Sequence, residues 1–188
     1  MSIKLIKFKI VKSTNDIAIK LIKKNKTHPT LIFSEKQTKG RGTMGKKWIS
    51  QKGNLFISIF FEINQNSINF KQFTILNALI LRKLVSKFIS KSIKIKWPND
   101  LLHNKEKICG ILQEVINYNQ KDYLIVGIGL NTNLSPTNKS FPSTSLKNII
   151  DKSIDNKKIL KSIKNRYEKF LLEIKKFSYK KLKRNINN

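Results

Sequence analysis

The run Leu55-Phe56-Ile57-Ser58-Ile59-Phe60-Phe61 constrains this chain most. Leu55, Ile57, Ile59 and Phe61 alternate with Phe56, Ser58 and Phe60, so a strand built from it is apolar on both faces and must be covered on both. Just ahead of it, Gly40, Gly42 and Gly45 fall within six positions, interleaved with Arg41, Lys46 and Lys47. Glycine lets a backbone approach a ligand closely, and successive N–H groups in such a loop form a concavity for an anion. The same composition also suits a plain surface turn. The Gly-x-Gly-x-x-Gly spacing precedes a strand instead of opening a helix, and no Gly-Lys-Ser/Thr follows, which disfavours both common nucleotide-loop folds.

The remaining elements are legible by period. Residues 3–11 alternate loosely as a first strand. Ser13-Thr14-Asn15-Asp16 offers N-caps to a helix carrying Ile17, Leu21 and Ile22. Thr30 to Ser34 reads as a strand leading to Gln37, and Phe73, Leu76, Ala78, Leu79, Ile80, Leu84, Val85 and Phe88 mark a long helix with a wide apolar face. Residues 92–97 alternate strictly and stop at Pro98, which deposits Lys96, Trp97, Asn99 and Asp100 together. Ile108–Val115 and Tyr123–Ile128 read as further strands, 146–151 and 156–177 as helices, and the chain from Ser178 as a frayed basic tail. The pattern predicts an α/β domain of the α+β type, a mixed and largely antiparallel sheet with helices packed on one side.

Composition limits the functions. The formal net charge is +28, from 39 Lys and Arg against 11 Asp and Glu, but only Arg41, Arg82, Arg166 and Arg184 are arginine. Lys, Ile and Asn share A/T-rich codons, so codon bias explains the charge without a nucleic-acid partner, and specific DNA binding is not expected. No segment approaches the roughly 20 apolar residues of a membrane span. A single cysteine, Cys109, and an N-terminus broken by lysines suit a cytoplasmic protein without disulfide or signal peptide.

The polar clusters, in their order, resemble the catalytic domain of biotin–protein ligases. The resemblance is carried by Ser13-Thr14-Asn15, Gln37, Gly40-Arg41-Gly42, Trp48, Gly53-Asn54-Leu55, Lys96-Trp97-Pro98-Asn99-Asp100, Lys107 with Gly110-Ile111-Leu112-Gln113-Glu114, and Gly127-Ile128-Gly129-Leu130-Asn131. It implies a catalytic domain over 1–178 and a basic tail over 179–188. No helix-turn-helix is expected ahead of Ser13, and a C-terminal small β-barrel is expected to be absent or vestigial. The implied activity is ATP-dependent: biotin is activated as biotinyl-5′-AMP, then transferred to a lysine of a biotin carboxyl carrier protein, the acetyl-CoA carboxylase subunit.

The resemblance also implies roles. Ser13, Thr14, Asn15, Gln37, Gly40, Arg41 and Gly110 would bind biotin, with Lys107 and Arg41 countering charge in the first transfer. Gly42, Lys46, Lys47, Trp48, Asn99 and Asn131 would bind the nucleotide, and Asp100 would hold Mg²⁺ through water. Cys109 is left as a buried spacer. The chain departs from the pattern at Thr43, where the family's loop carries a second arginine. A homodimer is left open, as are two other functions: a lipoate-type acyl-protein ligase of the same fold, and a basic nucleic-acid-binding module.

Overall fold

The computed structural model describes residues 2–137 and 141–187. Seven strands, β1 (Lys4–Val11), β2 (Thr30–Gln37), β3 (Leu55–Ile63), β4 (Lys94–Lys96), β5 (Asp100–His103), β6 (Glu106–Tyr118) and β7 (Lys121–Leu130), form one sheet in the order β1-β2-β3-β7-β6-β5-β4. Only β1 and β2 are parallel; every other pair is antiparallel. The doubly apolar run is β3, at the centre of the sheet and buried along nearly its whole length. The edges carry exposed lysines, Lys4, Lys7 and Lys9 on β1 and Lys94 and Lys96 on β4, a placement that discourages edge-to-edge pairing.

The two faces are covered differently. Leu55, Ile57, Ile59 and Phe61 of β3 and Leu124, Val126 and Ile128 of β7 point to the face covered by α2 (Phe70–Ile89), the short α3 (Leu146–Ile150), α4 (Asn156–Glu173) and α5 (Tyr179–Asn187). There Phe61, Phe73, Tyr167 and Phe170 meet edge to face at 6.0–6.5 Å between ring centroids. Tyr167 donates its buried hydroxyl to Asn77 Oδ1 at 2.8 Å, and Asn77 donates to Gln113 Oε1 at 2.6 Å, so the polar groups inside this core are paired. Helices on one side is therefore correct for α2, α3, α4 and α5 but not for α1 (Thr14–Lys23). Ala18 and Ile22 of α1 pack on the opposite face against Ile32, Phe60, Tyr123 and Ile125. That smaller cluster covers only part of its face, and the site occupies the rest.

The strand expected over 92–97 does stop before Pro98, as β4, and Trp97, Pro98 and Asn99 then turn the chain directly into β5. One other expectation is corrected. Residues 179–187 are not a frayed tail but the helix α5. Leu182 and Ile186, one turn apart, are buried in the main core beside α2, and Arg82 donates to Asn187 Oδ1 at 3.2 Å. The lysines occupy the rest of its circumference, and the short apolar stripe supplies the docking. Leu182→Ala is accordingly expected to cost about 2–4 kcal/mol in urea unfolding. A loss below about 0.5 kcal/mol would return this segment to a loosely attached tail.

Among the described residues no helix is long and apolar enough to cross a membrane. Cys109 is fully buried, and burial pushes its thiol up to about 12, which suits an inert spacer.

Candidate active site

Three glycines create the site. Gly110 of β6 pairs with Gly129 of β7, and Gly127 of β7 pairs with Ser58 of β3, so the face beside α1 has a trough without side chains. Other groups lie in it. A Cβ on Gly110 or Gly129 would stand 2.5 Å from ring carbons of Trp48, and one on Gly127 would stand 2.5 Å from Asn15 Oδ1. The glycines are thus required by close approach of Trp48 and Asn15, not by a turn.

Each chain segment brings a polar group to this trough. The N-terminus of α1 is capped by Ser13, whose Oγ accepts from the Asp16 amide at 3.4 Å. Gln37, at the end of β2, accepts from the Thr14 amide at 2.8 Å and donates to Ser50 Oγ at 2.9 Å. Ser58, wholly buried, lies 2.7 Å from Thr14 Oγ1 and also contacts Asn15 Oδ1. The Asn15 and Gln37 oxygens only accept, and Thr14 Oγ1 also lies 3.1 Å from Gln37 Oε1, so the single protons of Ser58 and Thr14 are shared among Asn15, Gln37 and each other. Asn15 in turn donates to Glu114 Oε2 at 2.6 Å.

The glycine-rich loop is a small hairpin with its own hydrogen bonds. Trp48 N–H donates to Gly40 O at 3.0 Å and Gly42 N–H to Lys46 O at 2.7 Å, with a single 3-10 turn at Thr43–Gly45. Gly40 is buried where a Cβ would meet Trp48 O and Ser50 Oγ at 2.5 Å. Arg41 turns away from the loop and pairs bidentately with Glu114, Nη1–Oε1 2.9 Å and Nη2–Oε2 2.8 Å, while Nη2 also lies 2.9 Å from Asp16 Oδ1. Hydrogen bonding to Glu114, together with the charges of Glu114 and Asp16, raises the guanidinium pKa above its ordinary value despite partial burial.

Two cavities meet here. A small one of about 40 Å³, room for a few waters, is lined by Thr14, Asn15, Gln37, Arg41, Gly110 and Gly127 among others. A larger one of about 460 Å³, within the range of small-molecule sites, is lined by Lys46, Lys47, Lys96, Asn131, Phe141 and Ser143 among others. Gly42, Thr43, Trp48, Asp100 and Lys107 line both. Lys107 Nζ lies 2.7 Å from Asp100 Oδ1 and 5.2 Å from the centroid of the Trp48 ring, at the junction. Lys96 Nζ sits 4.3 Å over the Phe141 ring, on the larger cavity's wall.

The structure brings most of the residues named from the sequence together around these two cavities. Ser13, Thr14, Asn15, Gln37, Arg41 and Gly110 share the small cavity, while Lys46, Lys47 and Asn131 share the large one and Trp48 divides them. Asn99 lines the small cavity, not the large one. Its side chain donates to Ile111 O at 3.0 Å and its carbonyl accepts from the Ile111 amide, which makes it a turn-holding residue. Asn131 donates to Lys107 O and Thr144 O, holding the wall, with its own Oδ1 buried and unpartnered on the side chain. Among the described residues no three acidic, histidine or cysteine side chains cluster as a metal site, and Asp100 is a lone carboxylate paired with Lys107. Ser58 and Glu114 were not read as site residues. The signal for Ser58 was available, a hydroxyl inside a strand apolar on both faces.

Comparison with known proteins places these features in context. The profile of the biotin/lipoate A/B protein ligase family matches residues 7–131. The bifunctional ligase/repressor BirA of Bacillus subtilis is 32% identical over 168 residues, covering 85% of this chain and 51% of that protein. The biotin–[acetyl-CoA-carboxylase] ligase of Paracoccus denitrificans is 30% identical over 122 residues, covering 63% of this chain and 50% of its own length. The chain thus spans about half the length of these curated relatives. Among solved structures, the biotin protein ligase of Aquifex aeolicus in complex with biotin and ATP superposes with a TM-score of 0.81 at 32% identity, covering 97% of this chain and 76% of that one.

Proposed function

This chain belongs to the biotin/lipoate A/B protein ligase family, and we propose that it is a biotin–protein ligase, activating biotin with ATP and passing it to a lysine of a biotin carboxyl carrier protein. The observation that carries the reading is the junction of the two cavities, where Trp48 and Lys107 separate a hydrogen-bonding pocket from a lysine-lined basin. In the first step a biotin carboxylate oxygen bonds to the α-phosphorus of ATP and the bond to pyrophosphate breaks. In the second, the carrier's ε-amine attacks the acyl carbon and AMP leaves. Both nucleophiles come from substrates, so this chain supplies orientation and charge.

The Thr14, Asn15, Ser58 and Gln37 network offers fixed acceptors and donors to the biotin ureido head. Lysines 46, 47 and 96 suit the phosphates, and Lys107 faces the point where carboxylate and α-phosphate meet. Asp100 is one carboxylate beside a phosphate basin, which fits a Mg²⁺ ion that arrives with the nucleotide and keeps most of its waters. Such an ion would neutralise phosphate charge. The residues here do not build a resident metal site.

Incubation with biotin, Mg-ATP and a carrier domain, scored by mass gain on the carrier, tests the reading. No gain, together with no biotin-dependent pyrophosphate release, would sink it. A gain with lipoate and none with biotin would move the chain to the sister activity.

Thr43 lines both cavities at the tip of the hairpin. An arginine there would add a guanidinium beside the phosphate of the adenylate, and one such charge-assisted bond is worth about 1.5–3 kcal/mol. Thr43→Arg is expected to slow biotinyl-adenylate release roughly ten- to hundredfold and to lower biotinylation of bystander lysines. Equal off-rates in the two proteins would show that Lys46 or Lys47 already covers that phosphate.

A further inference from the structure

Arg41 is held by two carboxylates away from the lysine-lined basin. Its two terminal nitrogens meet Glu114 at 2.8 and 2.9 Å and Asp16 at 2.9 Å. It lines the small cavity alone, whereas Lys46, Lys47 and Lys96 line the larger basin. Glu114 is the hub, because the same carboxylate accepts from Asn15 at 2.6 Å. The Arg41–Glu114 pair spans 73 positions of sequence and ties the hairpin to the central sheet. Met44 at the hairpin's tip is 94% exposed, and the remaining backbone bonds join the two arms or tie Thr38 and Lys39 at the base to Val11 and Lys12.

We propose that Glu114 is the positioning residue of the glycine-rich loop: by gripping Arg41 and Asn15 together it holds the Gly40–Gly42 backbone across the small cavity, and Arg41 is an anchor, not a phosphate ligand. The inference rests on the ligase reading and specifies how that site keeps its ligand. A small cavity of about 40 Å³ admits a larger molecule only when lining side chains yield, and the ion pair then draws the hairpin back over it. Without the pair, the hairpin must be ordered afresh around each ligand, which weakens ground-state binding and leaves the chemical step alone.

The test is a double-mutant cycle on Glu114→Gln and Arg41→Gln, reading the biotin dissociation rate, the rate of pyrophosphate release at saturating biotin and ATP, and tryptic cutting between Lys39 and Lys47. Each single variant is expected to release biotin roughly ten- to hundredfold faster. The saturated rate should fall by at least tenfold less than the affinity. The double variant should be no worse than either single one, since each removes the same contact. Glu114→Gln should also be cut faster than the unaltered chain. Arg41 is exposed enough that its variant keeps the fold if Glu114→Gln does not.

Three results would overturn the proposal. One is a collapse of the saturated rate in Arg41→Gln with Glu114→Gln unaffected, which would put the guanidinium on the reacting groups. Another is additive losses in the double variant. The third is tighter biotin binding in Glu114→Gln, which would make the pair a bar to entry. Absence of biotin binding in the unaltered chain would instead strike the ligase reading, while the tryptic comparison would still report on the anchor.

Discussion

Lys107→Ala is expected to slow biotin-dependent pyrophosphate release by about 10²–10³, with the biotin dissociation constant changed only a few-fold. Lys107 is the one cation among the described residues that lines both cavities. It is held in place by Asp100, 2.7 Å away, and by the face of Trp48. As the carboxylate adds to the α-phosphate, charge accumulates between the two cavities, so a fixed ammonium at that point stabilises the transition state more than either substrate alone. The deletion also leaves the Asp100 carboxylate facing an anionic substrate. Unchanged pyrophosphate release in Lys107→Ala would remove this residue from the chemistry.

How far such a site is legible from sequence depends on the range of the contacts that build it. The strands β3, β6 and β7 and the helix α2 announce themselves because their burial follows a local period. The strand β5 did not, since Pro98 ends one strand and starts a reversal with equal ease. The helix α5 was hidden by its lysines: Leu182 and Ile186 make a stripe too short to read, and only the α2 surface beside them makes it a helix that packs. In the site, glycines 110, 127 and 129 were visible as permissive positions, but that they make way for Trp48 and Asn15 is a fact of the sheet's register. The pairing of Arg41 with Glu114 was hidden for the same reason. Loop composition supplied a cation of the right sign, while its partner Glu114 lay on a strand far along the chain.

Gly129→Ala should abolish more than a methyl group's worth of function. An added Cβ would lie 2.5 Å from Cζ2 of the Trp48 indole, well inside contact distance, and the sheet behind it cannot yield. The indole must therefore tilt away from the small cavity and into the larger basin, whose wall it forms. Displacements of about 1 Å in positioning groups cost on the order of 10²-fold in rate. The variant is accordingly expected to lose about that much in adenylate formation, mostly through a raised KM for ATP, while its melting temperature shifts little because the main core lies on the other face of the sheet. Gly45→Ala makes the contrast. Nothing stands within 4 Å of its Cβ, so the cost is only the left-handed backbone at φ +72, about 1 kcal/mol, and nucleotide binding should be nearly intact. If Gly129→Ala kept both its melting temperature and its KM for ATP, the indole would have to slide freely across the trough. Trp48 could not then be the wall that separates the two substrates.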